Sequence, residues 1–455
     1  MPDLTFGTSA YSRLRGNLPE LPVVNLFVEN TPSQQLGVVL QSRPGLEAST
    51  EVGGGPIRGL FQADGVLGGA LVAVSGGEVY KGATLLGSIA GTGAVSFAAS
   101  ESELLINAGG PIYRTDGTTL TTVSFPDGAD VSRIASLAGY FLALRRDTEQ
   151  LYFSAVLDGS SWDALDYASA EKEPDPLRDI VIVNDMAALL GSQTVEFWQT
   201  TGNADIPLAP VVGRVFQKGV TGSGAACRFD NTFAWIAPNG LVYVGADIPQ
   251  RISDSGIEER LAQSTTYSLW TFFFEGHEFL AVRLDQGTWL FDAQTRQWCE
   301  FQSYGRTNWR AQCAAQHGAA LGDDETGQIW TLGSGYTDAG TVLERRFRAG
   351  APLSGGAFAV HNVRLTVNVG ETSYLSGDYA DPVVEMRTSR DAGRSWDTWR
   401  QAPMGQQGEY RTRTEWRRCG TFDDPGMLAE FRCTDPVPFR VSAAKVNEMS
   451  GGRSR

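Results

Sequence analysis

The chain has 455 residues, 42% hydrophobic and 20% charged, with a formal net charge of −15. That length accommodates one large β domain plus a smaller one, and the charge disfavours a body that grips nucleic acid through a basic stripe. Fifty-three glycines and 20 prolines point to many tight turns and few long helices, so the expected class is all-β.

In chain order, residues 1–55 contain the strand-like segments VVNLFVEN (23–30) and VVLQSRPGLEAS (38–49), expected as an arm whose strands join the ring that follows. Residues 56–335 repeat one theme, an apolar strand, a polar or Gly turn and a second strand with an aromatic. It recurs at residues 71–80, 104–113, 141–152, 186–198, 232–244, 278–291 and 319–330. The reference aromatics Tyr80, Tyr113, Tyr152, Phe197, Tyr243, Trp289 and Trp330 are 33, 39, 45, 46, 46 and 41 residues apart. That period matches a four-stranded propeller blade and predicts six or seven blades, whereas a two-sheet sandwich lacks a period near 40. A linker is expected over 336–345. Residues 346–445 read as a C-terminal antiparallel β-sandwich-like domain, with VRLTVNVG (363–370) alternating cleanly and further strands at 382–389, 409–416 and 429–435. Residues 446–455 read as a flexible tail.

Charge follows the same division. Residues 1–340 hold 20 Lys/Arg against 38 Asp/Glu, whereas residues 341–455 hold 17 against 14. An acidic body serves solubility, and it also suits a conduit past which DNA slides without sticking. No run of 18 apolar residues occurs, and MPDLTFGTSAYSR lacks a basic-then-apolar leader, so neither membrane spanning nor secretion is expected.

Ser389, Asp391, Gly393 and Trp396 form the pattern S-x-D-x-G-x-x-W, the Asp-box of sialidase-like propellers. Each of its positions can serve a turn structurally. Asp391 can accept turn amides, Gly393 can take positive φ, and Trp396 can cover the hairpin's apolar side. A sialidase would add an arginine cluster for a carboxylate, a Tyr–Glu nucleophile pair and an acidic proton donor, and would repeat the box across its blades. One full copy, after the repeats, is expected to be a structural turn and not a catalytic one. A sugar platform at Trp396 and Trp399 is the competing reading, and burial of Trp396 is expected instead.

Other chemistry finds little footing. His277, His317 and His361 are isolated, and Cys227, Cys299, Cys313, Cys419 and Cys433 lack zinc spacing and read as reduced thiols. GDDETG (322–327) lacks EF-hand spacing and reads as a solvated turn. RRFR (345–348) with Arg411, Arg413, Arg417 and Arg418 could bind phosphate, but alternation favours the outer face of a strand. No catalytic residue, cofactor or metal site is expected.

Longer stretches resemble a known family. VNLFVEN, SSWDALDYASAEKEPDPL (160–177), GSQTVEFWQTTGN (191–203), GHEFLAVRLDQGTWLFDAQTRQWCEFQS (276–303) and YRTRTEWRRCG followed by AEFRCTDPVPFRV are similar to the tail nozzle proteins of short-tailed bacteriophages, also called packaged-DNA stabilisation or tail accessory proteins. The resemblance implies a non-enzymatic virion component made in the host cytoplasm, a homohexameric ring at the tail tip, seated on an adaptor ring. Tail fibres or spikes are further implied partners, and double-stranded DNA would pass through its channel without sequence-specific binding. The other function to weigh is a receptor- or glycan-binding tail module, with a sialidase-like glycosidase behind it.

Overall fold

A computed structural model describes residues 3–7, 9–11, 20–31, 37–170, 175–203, 206–351, 357–424 and 426–446. The expected tail at 446–455 lies outside these residues except for its first position. Among the described residues, seven four-stranded antiparallel sheets follow one another as propeller blades. Blade 1 begins with Ile57–Phe61, blade 2 with Ser96–Ala99, blade 3 with Val131–Leu137 and blade 4 with Leu177–Val183. Blade 5 begins with Ala226–Phe229, blade 6 with Tyr267–Phe274 and blade 7 with Ala311–Ala315. These first strands touch in sequence around the ring, the last closing on the first, and Phe61 meets Phe97 between blades 1 and 2 at 5.6 Å. All seven reference aromatics sit on the third strand of a blade. A single hairpin buries one apolar face, so stacking of neighbours is what makes the core.

The ring closes with sequence from its far end. Leu46–Glu51 pairs antiparallel with Gln328–Leu332 as the outermost strand of blade 7. The rest of the N-terminal segment goes elsewhere. Leu26–Asn30 pairs with Val38–Ser42, which pairs with Arg440–Val446, and Asp3–Phe6 pairs with both Arg345–Ala351 and Arg440–Val446. The arm expected to join the propeller thus supplies one blade strand and several sandwich strands.

The sandwich has two layers. One runs Arg345–Ala351, Met427–Cys433, Val383–Ser389, Arg400–Pro403; the other runs Leu26–Asn30, Val38–Ser42, Arg440–Val446, Phe358–Val367, Glu415–Phe422. Val363 and Leu365 are buried, as their alternation requires, while the strand expected at 409–416 begins at Glu415 because residues 405–412 form turns.

Propeller and sandwich are not separately hydrogen-bonded bodies. Val23–Val24 pairs in parallel with the outer strand of blade 6, Val24 opposite Glu300, and antiparallel with Arg345–Ala351, Val23 opposite Phe347. One ladder therefore runs from blade 6 into the sandwich, over a shared hydrophobic cluster that includes Phe27, Phe279, Phe347 and Phe431. Between them, Asn25 adopts φ +55°, a conformation Asn tolerates better than most residues.

Candidate functional site

The Asp-box forms a closed turn after the strand Val383–Ser389. Buried Ser389 accepts from the Gly393 amide at 2.9 Å and donates to Asp391 Oδ1 at 2.7 Å. Asp391 also accepts from the Ser395 amide at 2.8 Å and hydroxyl at 2.5 Å, and these bonds hold its carboxyl well below the usual range. Gly393 has φ +89°, and the Trp396 indole N–H donates to its carbonyl at 3.1 Å. All four residues come together in one turn, whose carboxylate has its acceptor positions filled by the turn itself.

Trp396 is half-buried, not buried as expected, because the turn folds onto the outer face of the sandwich sheet and not into the core. Register sets up that face: Arg348 lies opposite Glu430, which lies opposite Arg387, and Arg432 lies opposite Glu385. Alternation sends Phe347, Phe431 and Met386 inward and these charges outward. Arg348 and Arg387 lie over the Trp396 ring at 4.8 Å each, and Arg387 and Arg432 over Trp399 at 4.5 and 4.1 Å. Arginine and tryptophan therefore alternate in a five-membered ladder, Arg348–Trp396–Arg387–Trp399–Arg432. Guanidinium groups suit this role, since they stack through π faces while their edges make ion pairs.

Those edges hold acids. Glu430, with no solvent exposure, accepts from Arg348 Nε at 2.8 Å and Arg387 Nε at 2.6 Å, and Arg346 Nη1 stands 3.9 Å away. Arg432 Nε donates to Glu385 at 2.5 Å. The arginine cluster that a sialidase would close on a substrate carboxylate is here closed on the protein's own Glu430. Both tryptophan rings are likewise engaged by guanidiniums, which limits their use as a sugar platform. Beside the ladder lies a groove of about 480 Å³ lined by Arg387, Arg390, Arg400 and Arg418 with Asp397.

The remaining candidates are dispersed. Arg345 is fully buried and donates to the carbonyls of Cys433 at 3.2 Å, Val437 at 3.0 Å and Asp435, so the first arginine of RRFR is committed to the chain's own backbone. Arg411, Arg413, Arg417 and Arg418 are exposed. His277 is buried with its Nδ1 2.8 Å from Asp292, His317 sits edge-on to Phe273, and His361 is exposed. The five cysteines are unpaired, and burial pushes the Cys313 thiol up to about 12. In GDDETG, Asp323 is not solvated as expected. Buried, it accepts from Thr326, Glu325, Trp330 and Arg310, while Asp324 pairs with Arg283 and Arg306. Among the described residues no group of three or more His, Cys, Asp or Glu could hold a metal. Nor is any helix there long and apolar enough to cross a membrane.

Sequence reasoning missed a buried clasp where the chain closes its ring. Arg43 donates to both oxygens of Asp338 at 3.0 Å, to Asn25 Oδ1 at 2.8 Å, to the Pro44 carbonyl at 2.8 Å and to the Gln302 carbonyl at 3.0 Å. All five guanidinium N–H groups are thereby used. Asp338, expected within a linker, is 2% exposed and also accepts from Ser303 and Leu46. The available signal was Asn25 within VVNLFVEN, a polar residue interrupting an apolar run.

Residues 4–335 match the family described as bacteriophage P22 Gp10, beta-propeller, and residues 347–448 match bacteriophage P22 Gp10, beta-sandwich. A curated relative, the tail hub protein gp10 of Salmonella phage P22, is 27% identical over 261 residues, 50% of this chain and 55% of that protein. The chain's match thus spans about half the length of that relative. Among solved structures, PorZ of Porphyromonas gingivalis aligns with TM-score 0.39 and 15% identity over 68% of this chain and 43% of that one. BBS1N, in complex with ARL6DN, aligns with TM-score 0.41 and 11% identity over 64% and 98%. Matched through both its propeller and its sandwich, the chain belongs to the bacteriophage P22 Gp10 family.

Proposed function

We propose that the chain is a structural subunit of a phage tail, forming the nozzle ring that extends the DNA channel, helps retain the packaged genome and passes it during ejection. The observation that carries this reading is the single ladder from blade 6 through Val23–Val24 into the sandwich. It suits a rigid wall element. Family membership supports the tail setting, and the tail hub relative supplies the analogy. Six copies closing under cyclic symmetry on an adaptor ring are part of the proposal, with fibres or spikes as further neighbours. The division into residues 1–55, 56–335, 336–345 and 346–445 belongs to it as well. So does a purely structural role for Ser389, Asp391, Gly393 and Trp396, and enzymatic activity does not.

The surplus of 38 acidic over 20 basic residues in 1–340 suits a passage that repels phosphate and keeps DNA mobile. Imaging of purified particles by electron cryomicroscopy tests the reading. Density for a ring of this chain at the tail axis is expected; its absence from particles, or a passage lined by Lys and Arg, overturns it.

A second reading, contact with a receptor or glycan, has one observation in its favour. Tyr374, Leu375, Tyr379 and Tyr410 are exposed on two loops that meet where the Gly408 amide donates to the Gly370 carbonyl at 3.0 Å. Loss of host adsorption on replacing these residues by Ser, with particle assembly intact, would favour it.

A further inference from the structure

Four of the seven innermost propeller strands carry an extra residue at the same place, their second position. The register skips Arg58 in blade 1, Ser132 in blade 3, Arg178 in blade 4 and Gln312 in blade 7. A bulge re-aims a side chain out of the regular alternation and often marks a site. Of the four, Arg58 and Gln312 face one shared space near the propeller's own axis.

A cavity of about 410 Å³ lies there. Its lining comes from blades 1, 2, 3, 6 and 7 and from the link between blades 4 and 5, and includes Arg58, Arg133, Tyr267, Ser268 and Gln312. Arg178, from blade 4, donates to the Thr221 carbonyl at 2.7 Å, next to the lining residues Ser223 and Gly224. This axis is internal to one chain and distinct from any passage between copies.

Charge at the cavity runs against the acidic body. Arg133 donates to Asp179 at 2.9 Å, and the other oxygen of Asp179 accepts from the Gly224 amide at 2.8 Å, so that carboxylate is fully committed. Arg58 donates to the carbonyls of Gly76 and Gly93 at 2.9 and 2.7 Å. Carbonyls fix Arg58 and Arg178 in place without neutralising them, and no carboxylate among the described residues pairs with either. Burial pulls the Arg58 guanidinium below its ordinary value, the direction expected of a cation lacking a counter-charge. Arg133 also donates from Nη1 to the Val95 carbonyl at 3.0 Å, and of the five donors on each guanidinium some remain unused on all three.

We propose that this axial cavity binds an oxyanion of phosphate size, held by Arg58 and Arg133 with Arg178 beside its lining, and with Ser268 and Tyr267 as neutral hydrogen-bonding partners. Planar guanidinium forks match the oxygen spacing of such groups, and a partly enclosed site strengthens the attraction. A free ion and the phosphodiester of a nucleic acid share this chemistry.

Calorimetric titration of the whole chain with inorganic phosphate, at ionic strength matched with chloride, tests the site. Saturable binding is expected, weakened at least tenfold by Arg58→Gln combined with Arg178→Gln, and by Gln312→Glu, which adds a repelling charge and serves if the double variant does not fold. A parallel titration with a thymidine dinucleotide separates the sources: binding of both ligands assigns a phosphodiester, binding of phosphate alone a free ion. No saturable phosphate binding by the unaltered chain, or unchanged affinity in the folded variants, overturns the proposal.

Discussion

Arg43 and Asp338, 295 residues apart in sequence, meet end-on with two contacts of 3.0 Å and almost no exposure to water. Asp338 also receives the amide of Leu46, the first residue of the strand that closes blade 7. Ring closure and the connection to the sandwich are thus fixed at one point. Removing one partner of such a buried pair strands the other's charge, so Asp338→Asn is expected to destabilise the chain by about 3–5 kcal/mol. Denaturant unfolding at neutral pH measures it.

The same pair predicts a pH dependence. Burial works to raise the Asp338 carboxyl, but the Arg43 guanidinium, with bonds from Ser303 and Leu46, outweighs it and leaves the group below its ordinary value. A carboxyl depressed by folding contributes stability that is complete above its unfolded pKa and is lost as pH falls through the folded one. Unfolding midpoints recorded below about pH 4 should fall more steeply for the unaltered chain than for Asp338→Asn.

Glu430 organises the ladder from beneath. Glu430→Gln would leave Arg348 and Arg387 without the carboxylate between them, at a cost of about 3–5 kcal/mol. Trp399→Phe retains a stacking face and should cost less than about 1 kcal/mol, whereas Trp399→Ala should cost more. Thermal unfolding of the three variants ranks them.

Ser389→Ala removes the acceptor of the Gly393 amide and a donor to Asp391. A loss of about 1 kcal/mol is expected, confined to the turn. Limited proteolysis should then cut near Arg394 faster, while hydrogen exchange in the blades stays unchanged.

Leu46→Ala empties a buried position at the start of the closing strand, and about 2–5 kcal/mol is the usual cost. Exchange protection should fall first along Gln328–Leu332, the strand it pairs with.

The blades were legible because each contains its own period, a hairpin with an aromatic on the third strand, and local signals suffice for local pairing. VRLTVNVG was legible for the same reason. What escaped was long-range. Val23–Val24 is too short to show alternation, and the partners of Leu46–Glu51 lie some 280 residues on. Residues 409–414 alternate like a strand yet lie outside it, since turns at 406–411, with Gly405 and Gly408 at positive φ, delay its start to Glu415. The Asp-box could be read as a turn from its spacing. That its tryptophan stacks on Arg348 and Arg387 could not, because those arginines come from two other points in the chain. Bulges leave no mark on a hydrophobic pattern, and the axial arginines were passed over for that reason.

The ladder through Val23–Val24 has a mechanical meaning. A push on the sandwich would reach blade 6 through main-chain hydrogen bonds and the packed side chains beneath them.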